Sequence, residues 1–484
     1  MTSVQPSASS AKRCARHLMI SDAAQTELPP TRRPSVAGTR TVKLPFVINV
    51  QLLRDPAFVA QLGRAAELKR LDFDANQLSE AFAERRRIVG LVDQTRARQK
   101  SLSNRFREAD AETRSALRDQ LGQISEESKG LAAQLSEAEE KLQNLALRAP
   151  SIPDPTAPVG VNDEDNEVIR HWGEPRKMSP DMADHVELAR RLGLVEFDRA
   201  QKFAGSRSIA LTGNGALVVR AVLAMAMDQL VIRNFRPVMP PVLVREEAMI
   251  GTGYFPLGVE DAYKADREDR YLVGTSEVSL VSLHRDELLA LSDLPIRYAG
   301  VSSCFRREAG SHGRDTRGLY RVHQFDKVEQ VSIIEADDEL SRREQLALLE
   351  NSETVLKALE LPYRVAIACT GEMGQGQRLK YEVETWMPSR AAYSETHSCS
   401  SFGDFQSRRS NIKYRTADGG TAFAYTLNNT AVAAPRILIP LLEHHQQPDG
   451  AVRIPAALRP YLNGLETLSA KTPSSELVLA HIPA

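Results

Sequence analysis

The most regular pattern of apolar positions in the chain lies between residues 78 and 145, where apolar side chains recur at alternating steps of three and four. Two runs follow this spacing, at positions 78, 81, 85, 88, 92, 95, 99, 102 and 106, and at positions 117, 121, 124, 128, 131, 135, 138, 142 and 145. Six of nine residues in the first run and eight of nine in the second are apolar. This spacing keeps one apolar face along each helix and is typical of coiled coils. It predicts an antiparallel helical hairpin over about 78–148 that projects from the body, within a domain spanning 46–150.

The two predicted helices of this hairpin, which we call the arm, differ in charge. Residues 79–107 carry eight Lys or Arg and three Asp or Glu, whereas residues 112–148 carry five and seven. Charged coiled-coil faces are usually solvated surfaces that form pairs between helices. A basic face is also what contact with a nucleic-acid backbone requires. The charge pattern alone leaves both interpretations open.

The pattern changes after the proline-rich segment RAPSIPDPTAPVG, which predicts a linker at 151–165 because proline cannot continue a helix. Short β-rich runs and helical runs then alternate: YLVGTSEVSL, KVEQVSIIE, YRVAIA and ILIPLLEHHQQ. The segment GNGALVV at 213–219 lacks the spacing of a Gly-rich phosphate loop. These features predict an α+β domain at 166–470, an antiparallel sheet flanked by helices, followed by a tail at 471–484.

Composition narrows the class of protein. The 484 residues are 42% hydrophobic and 26% charged with a net charge of −1, which excludes collagen-like, wholly disordered and disulfide-scaffold proteins. Four scattered cysteines, Cys14, Cys304, Cys369 and Cys399, fit a reducing compartment better than a disulfide framework. The most apolar stretch, 216–232, contains Arg220 and Asp228. We therefore expect a soluble protein with no membrane partner.

The first 45 residues form a separate N-terminal extension in this interpretation. They contain seven Lys or Arg, two acidic residues and six serines, without the apolar core of a secretory signal. A transit peptide of an organelle has this composition, and so does a disordered tail or an overlong start. The expected location is cytoplasmic, with a mitochondrion or another organelle as the alternative.

An arginine cluster dominates the second half of the chain. The segment FRREAGSHGRDTRGLYRVHQFDKVE, at 305–329, places five arginines near Phe325. Guanidinium groups bind polyphosphates with two parallel hydrogen bonds, and an aromatic ring can stack on a base. The alternative is a basic surface loop of a β-hairpin, and arginine density alone does not decide between them.

These residues resemble motif 2 of class II aminoacyl-tRNA synthetases, in the form found in the seryl-tRNA synthetase family. The segments PVMPPVLV (237–244), with MIGTGYFP after it, and GTSEVSLVSLHRDE (274–287) resemble motif 1 and the serine-pocket segment. The segments YSETHSCSSFGDFQSRR (393–409) and TLNNTAVAAPRILIPLLEHHQ (426–446) resemble the metal-site strand and motif 3. The arm resembles that family's tRNA-binding arm, and the resemblance spans about 46–462.

The resemblance implies a serine–tRNA ligase, an ATP-dependent enzyme that forms seryl-adenylate and transfers serine to tRNA(Ser), with tRNA(Sec) as a further acceptor left open. It implies a homodimer built around motif 1 at Pro241, Mg²⁺ bound with ATP, and no zinc. The catalytic residues would be Arg306 and Arg436, and the magnesium ligands Glu395 and Ser398. Arm residues Arg85, Arg86 and Arg87 would contact tRNA.

The resemblance also implies two sets of binding residues. ATP would contact Arg306, Arg307, Glu308, Arg321, Val322, Phe325, Glu395, Thr396, His397, Ser398 and Arg436. Serine would contact Thr275, Ser276, Glu277, Glu329 and Thr430. No nucleophile is required for this chemistry, so the cysteines and the His444–His445 pair are expected to be structural.

Several positions depart from the family pattern, and two other functions remain open. Asn429 and Pro435 stand where glycines are usual, Ser401 stands for Asn, and Leu379 and Glu382 stand for Lys and Asp. One alternative is a paralogue kept for antibiotic self-resistance. Another is a non-catalytic tRNA-binding homologue, against which the retained residues of the ATP and serine sets argue.

Overall fold

A computed structural model describes residues 47–310 and 317–477 of the chain. The predicted extension at 1–45 lies outside the described residues, as does the loop arginine Arg314. The described helices are α1 (Pro56–Leu68), α2 (Ala75–Glu108), α3 (Ala111–Ala146), α4 (His185–Arg191), α5 (Phe197–Ala204), α6 (Gly213–Ile232), α7 (Glu246–Thr252), α8 (Glu277–Ser282), α9 (Asp338–Ala358), α10 (Phe405–Ser410) and α11 (Ala434–His445).

The described strands fall in the second part of the chain. They are β1 (Glu167–Trp172), β2 (Val195–Glu196), β3 (Ala210–Leu211), β4 (Arg236–Val238), β5 (Leu243–Arg245), β6 (Tyr263–Ala265), β7 (Arg270–Leu272), β8 (Leu288–Leu289) and β9 (Ile296–Phe305). They continue with β10 (Gln324–Ile334), β11 (Tyr363–Ile367), β12 (Leu379–Met387), β13 (Ala392–Gly403), β14 (Lys413–Arg415), β15 (Thr421–Phe423), β16 (Tyr425–Ala433), β17 (Val452–Arg453) and β18 (Thr467–Leu468).

The predicted hairpin is confirmed by α2 and α3. An aspartate begins each helix: Asp74 accepts from Asn76 N and Gln77 N, and Asp110 accepts from Thr113 N. All eighteen seam positions predicted from the spacing are buried or half-buried. The ion pair between Arg85 and Glu139, at 2.9 Å, joins the start of one helix to the end of the other and shows that they run antiparallel.

The predicted antiparallel sheet is confirmed by an eight-stranded sheet in the order β1-β11-β12-β13-β16-β10-β9-β4. Its strands pair antiparallel except for β4, which runs parallel to β9. Helices α9 and α11 bury leucines such as Leu348, Leu349, Leu438 and Leu442 in the core cluster that covers one side of this sheet. Because side chains alternate along a strand, the other side of β10 carries Lys327 and Glu329, followed by Val331 and Ile333 in a second apolar cluster with α8.

One of the β-rich runs is only partly a strand, and the segment that lacks the phosphate-loop spacing is helical. The run YLVGTSEVSL divides between β7, which ends at Leu272, and α8, which begins at Glu277. The segment GNGALVV is the first part of α6. Within the described residues, α6 is the one helix long and apolar enough to span a membrane by length and composition, and core helices of soluble proteins pass the same test. Its buried residues, including Val222 and Leu230, pack in the core cluster.

The predicted linker and part of the predicted tail pack against the body. Ser151 N donates to Gln375 O at 2.9 Å, and Asp154 N donates to Arg378 O at 2.7 Å. Thr370 N donates in turn to Pro158 O at 2.8 Å. In the tail, Leu477 is fully buried. The 151–165 segment is therefore a docked connection, which ties the base of the arm to the sheet.

Candidate active site

Two adjoining cavities lie over the side of the large sheet that carries Lys327 and Glu329. The first, which we call the arginine cavity, is lined by Arg306, Glu308, Leu319, Tyr320, Arg321, Val322, Phe325, Lys327, Glu395, Thr396, Ser398, Thr430, Ala433, Pro435 and Arg436. The second, the carboxylate cavity, is lined by Thr252, Gly253, Tyr254, Thr275, Glu277, Arg306, Lys327, Glu329, the segment 374–377, Ser398, Ser400, Phe402, Phe405, Asn428 and Thr430. Four of these residues form the shared wall: Arg306, Lys327, Ser398 and Thr430.

The β9–β10 hairpin positions the first arginine. Strand β9 ends at Phe305, which pairs with Gln324, so Arg306 emerges beside the start of β10. Its backbone N–H donates to His323 O at 3.0 Å, and its Nε donates to Gly274 O at 3.4 Å. The guanidinium carbon lies 5.5 Å from the centre of the Phe325 ring. A cation and an aromatic face therefore lie side by side in the arginine cavity.

The second arginine of this cavity, Arg436, lies in the segment that resembles motif 3. Arg436 follows Pro435 in the first turn of α11, a position where proline is compatible with a helix because its missing N–H would have no partner there. Its Nη1 donates to the Glu395 carboxylate and to Glu395 O, both at 3.2 Å, and its Nε donates to Tyr320 O at 3.3 Å. Pro435 does not turn Arg436 away from the cavity.

Glu395 is held in its ionised form. Burial would raise the pKa of this carboxyl, but the positive charges of Arg436, Lys380 and Arg306 hold it below its usual value. Thr396 is the extra residue of a bulge in the β12–β13 pairing, so Glu395 and Ser398 both reach the arginine cavity from one strand. A carboxylate and a hydroxyl on one cavity wall are oxygen ligands of the kind that Mg²⁺ prefers. Within the described ranges, no group of three or more His, Cys, Asp or Glu side chains has the arrangement of a metal site.

Glu308 and Arg321 form the outer edge of the arginine cavity. Arg321 Nη1 donates to Glu308 Oε2 at 3.0 Å, which links the two ends of the motif 2 loop. Glu308 has a φ of 53°, a left-handed backbone conformation that is uncommon outside glycine. Val322, which is 4% exposed, packs beside them.

The carboxylate cavity concentrates buried charge. Glu277 and Glu329 are 3% and 2% exposed, and Glu329 forms an ion pair with Lys327. Gln406 Nε2 donates to Glu277 at 2.6 Å, and the Tyr254 hydroxyl donates to it at 3.2 Å. Burial, and then the negative charge of Glu329, raise the pKa of Glu277 to about 7. Two carboxylates face two cations here, Lys327 and the bordering Arg306, so the cavity suits a small ligand that carries both a positive and a negative charge.

Strand pairing places two further polar side chains beside these carboxylates. Glu329 of β10 lies opposite Thr430 of β16, whose hydroxyl donates to the carboxylate at 3.3 Å. Thr275 is 1% exposed and lies at the same cavity wall. Hydroxyl and carboxylate groups therefore converge on a space bordered by Arg306.

Three residues predicted from the resemblance do not line the cavity assigned to them. The Ser276 hydroxyl instead donates to Gly300 O at 3.3 Å, and Arg307 donates to Glu260 O at 2.9 Å on the surface. His397 points to the opposite side of β13 from Ser398, and its Nδ1 lies 2.8 Å from the Thr396 hydroxyl. Burial lowers the pKa of His397 to about 4, so the ring is neutral near pH 7.

The three arm arginines are in unlike environments. Arg85 belongs to the seam and pairs with Glu139 at 2.9 Å. Arg87 pairs with Glu84 at 2.7 Å on the exposed surface of the same helix. Arg86 is exposed and its guanidinium carbon lies 5.8 Å from the centre of the Phe82 ring. Arg86 and Arg87 are therefore accessible to a large partner, whereas Arg85 helps to join the two helices.

The positions that depart from the family pattern have structural partners. Asn429 Nδ2 donates to Ser352 Oγ at 2.7 Å, and Ser401 Oγ lies 3.0 Å from Ser341 Oγ, so both face α9. Glu382 pairs with Lys380 and lies opposite Ser398 in the β12–β13 register. Leu379 is 4% exposed and packs in a small apolar cluster with Met373.

Some cavity residues were not identified from the sequence. Lys327 is two residues from Glu329 on one strand, and the period of two would have placed both on the same face. Polar groups also come from Tyr254 in the segment after α7, Gln406 in α10 and Asn428 in β16. No local pattern connects these three, because tertiary packing alone brings them to Glu277.

The fold and the paired cavities define a class II aminoacyl-tRNA synthetase. Residues 259–445 match the tRNA synthetase class II core domain (G, H, P, S and T), and residues 47–153 match the seryl-tRNA synthetase N-terminal domain. The chain is 48% identical over 360 residues to the serine–tRNA ligase of Deinococcus radiodurans, covering 74% of this chain and 85% of that protein. The chain belongs to the seryl-tRNA synthetase family.

Solved structures agree with this assignment. The seryl-tRNA synthetase of Pyrococcus horikoshii, solved with ATP, matches with a TM-score of 0.80 and 32% identity, over 87% of this chain and 99% of that one. The cytoplasmic serine–tRNA ligase of Naegleria fowleri, solved with AMP, matches with a TM-score of 0.76 and 25% identity, over 88% and 99%.

Proposed function

We propose that this chain is a serine–tRNA ligase, which activates serine with ATP and transfers it to the 3′ end of tRNA(Ser). The observation that supports this most strongly is the shared wall of the two cavities. Arg306 borders both a cavity rich in cations and a cavity that contains Glu277 and Glu329. A nucleotide phosphate and the carboxylate of a small amino acid would meet at this arginine.

In the proposed first step, a serine carboxylate oxygen attacks the α-phosphorus of ATP. The bond from that phosphorus to the bridging oxygen breaks, and pyrophosphate leaves. Arg306 would stabilise the charge that develops on the α-phosphate, and Arg436 the charge on the outer phosphates. Phe325 would stack on adenine, with Val322 beside it and Glu308 near its edge. Arg321, which the Glu308 carboxylate orients, would contact the outer phosphates.

Glu395 and Ser398 would hold Mg²⁺ with the nucleotide. The ion would supply further neutralisation of the phosphate charge when bound. The lowered pKa of Glu395 supports this role, because an ionised carboxylate is the form that binds a cation.

Serine would be selected by polar pairing in the carboxylate cavity. Glu277 and Glu329 would accept hydrogen bonds from the ammonium and hydroxyl groups, with Thr275 and Thr430 beside them. A site built to pair a hydroxyl rejects the analogue without it by about 10⁴-fold, because its own buried groups then stay unpaired. In the second step, the terminal ribose hydroxyl of tRNA attacks the acyl carbon and AMP leaves.

We further infer a homodimer and a tRNA-binding arm. Large apolar side chains around motif 1 are exposed in the single chain, with Met239 at 86% and Ile232 at 81% exposure. Such patches mark protein interfaces. Arg86 and Arg87 on the accessible side of α2 would contact tRNA phosphates. The proposed location is the cytoplasm, with an organelle as the alternative if residues 1–45 direct import.

Amino-acid-dependent exchange of pyrophosphate into ATP tests the proposed reaction without tRNA. We expect exchange with serine and at most trace exchange with alanine or threonine. Equal exchange with alanine would contradict the assignment of Glu277 and Glu329 to the substrate hydroxyl and ammonium.

A further inference from the structure

A lysine of the arm domain reaches into the catalytic body. Lys69 follows the last turn of α1 and is 2% exposed. Its ammonium donates to three backbone carbonyls of one loop: Gly374 O at 3.3 Å, Gln375 O at 2.9 Å and Gln377 O at 2.6 Å. Three carbonyl acceptors match the three N–H groups of an ammonium, whereas a neutral amine has only two.

The loop that accepts these hydrogen bonds is part of the carboxylate cavity. Residues 374–377 line that cavity together with Glu329 and Thr430. The loop has no helix or strand of its own. It is connected to the sheet by Gln377, whose Nε2 donates to the hydroxyl of Ser400, another cavity residue, at 2.7 Å. Lys69 therefore lies directly behind one wall of the amino-acid site.

A second set of contacts ties the same loop to the arm. Gln375 Nε2 donates to Leu147 O at 2.8 Å and to Ala149 O at 3.0 Å, just beyond the end of α3. Arg409 of the body donates to Leu147 O at 2.9 Å. The loop is thus held at the junction where both ends of the arm domain meet the body.

The packing around this loop leaves little room for rearrangement. A Cβ atom at Gly376 would lie 2.4 Å from the Phe405 ring, and Phe405 also lines the carboxylate cavity. The guanidinium carbon of Arg409 lies 4.0 Å from the centre of that ring on the arm side. A displacement of the loop toward the arm or the sheet would therefore change the shape of the cavity itself.

Burying the charged side chain of Lys69 costs free energy, which its hydrogen bonds to the loop must offset. Burial, and then the positive charge of Arg378, lower the pKa of Lys69 to about 7, so the ammonium that matches the three carbonyls is about half populated at pH 7. Among the described residues, the one charged group that shifts this pKa is Arg378, and no carboxylate offsets it. An apolar residue of similar length would avoid the cost of burying a cation, but it would leave three carbonyls of the loop without these donors.

We propose that Lys69 is a positioning residue for serine activation, which holds the loop at 374–377 in the shape that completes the carboxylate cavity. The arm domain then contributes to the amino-acid site as well as to tRNA binding. This inference rests on the proposed function for its kinetic consequence, but the effect of Lys69 on the loop does not depend on the identity of the substrate.

The test compares Lys69→Met with wild type in the full-length protein. Methionine has a similar length but donates no hydrogen bond. We expect the KM for serine in pyrophosphate exchange to rise about tenfold, because small displacements at a binding wall weaken binding strongly. The KM for ATP should change less than twofold, since the loop does not line the arginine cavity. The matched control is Lys141→Met, an exposed lysine on α3, which should leave both values unchanged.

Hydrogen–deuterium exchange over 371–378 provides a readout that does not depend on the reaction. Lys69→Met should increase amide exchange in this segment, and Lys141→Met should not. If the wild-type protein showed no serine-dependent pyrophosphate exchange, the proposed function would be wrong. The hydrogen–deuterium measurement would still test whether Lys69 holds the loop at 374–377.

A second variant keeps the inference testable if Lys69→Met does not fold. Lys69→Arg retains the charge, but its planar guanidinium cannot match the three carbonyls, so we expect a rise of about threefold in the serine KM. A serine KM and loop exchange equal to wild type in a folded Lys69 variant would overturn the inference.

Discussion

The arm and the catalytic body use charged residues in opposite ways. The arm is organised by one repeat, its apolar seam is internal, and charged side chains such as Arg87 and Glu84 pair on the surface with 58% and 50% exposure. In the body, Glu277, Glu329 and Lys327 are almost fully buried within one cavity. Exposed pairs contribute little to stability and are screened by salt, whereas buried charges interact strongly and depend on their partners. Single substitutions should therefore have graded effects in the arm and large effects in the body.

The largest effects are expected at the two cavity arginines. Arg306→Ala and Arg436→Ala should each lower the rate of pyrophosphate exchange by roughly 10²-fold or more, because each would remove charge stabilisation from the transition state. Arg306→Lys should rescue poorly, since a point charge cannot reproduce a bidentate fork. An unchanged rate of pyrophosphate exchange for Arg436→Ala would show that Arg436 has a structural role only, as the ion-pair partner of Glu395.

A smaller effect is expected from the titration of Glu277. Its pKa is raised to about 7, so lowering the pH from 7 to 6 protonates it and removes an acceptor for the serine ammonium. The serine KM should rise about fivefold over this interval, as the ionised fraction falls. The Glu277 carboxyl also faces Lys327, Glu329 and Tyr254. The variant Glu277→Gln separates the effect of these neighbours on the pH dependence of the serine KM from that of Glu277 itself. Glu277→Gln should have a higher serine KM than wild type, and this KM should not change between pH 7 and pH 6. A fivefold rise in the variant over the same interval would show that a neighbouring group titrates instead.

The smallest effect is expected on the arm surface. Reversing Arg86 and Arg87 to Glu should weaken tRNA binding about threefold at physiological salt and lower the salt dependence by roughly one counterion per lost phosphate contact. Exchange of pyrophosphate should stay at the wild-type rate. The matched control is Arg199→Glu in the body, which like Arg87 pairs with a glutamate three residues earlier and is 75% exposed. Equal loss of tRNA binding in the control would mean that net charge, and not the arm, explains the result.

The same contrast explains what could be predicted from the sequence. The arm depends on spacing within a single helical hairpin, so its seam was predictable from local periodicity. The order of the large sheet was not, because β16 lies between β13 and β10 although it follows both in the chain. Residues as remote as Lys69 and Gln377 meet only in the folded protein, and no spacing encodes that contact.

Adjacency in the sequence also did not predict which side chains line the cavities. Thr275 and Glu277 line the carboxylate cavity, but Ser276 between them turns toward Gly300, where a Cβ atom would lie 2.8 Å from its hydroxyl oxygen. His397 lies between two cavity residues of β13 and points to the opposite side of the strand. The resemblance located the segments, and strand alternation decided which side chains reach the cavities.

The division between arm and body can be tested by shortening the coiled coil. Joining Val92 to Leu131 through a short flexible turn removes the outer part of α2 and α3 but keeps Lys69, Leu147 and Ala149, which hold the loop of the carboxylate cavity. The removed residues contribute none of the side chains that line either cavity. We expect this variant to retain the wild-type rate of serine-dependent pyrophosphate exchange and to lose tRNA charging by roughly 10²-fold as phosphate contacts are removed. Full charging of tRNA by the shortened protein would contradict the account, and so would loss of exchange in a variant that remains folded.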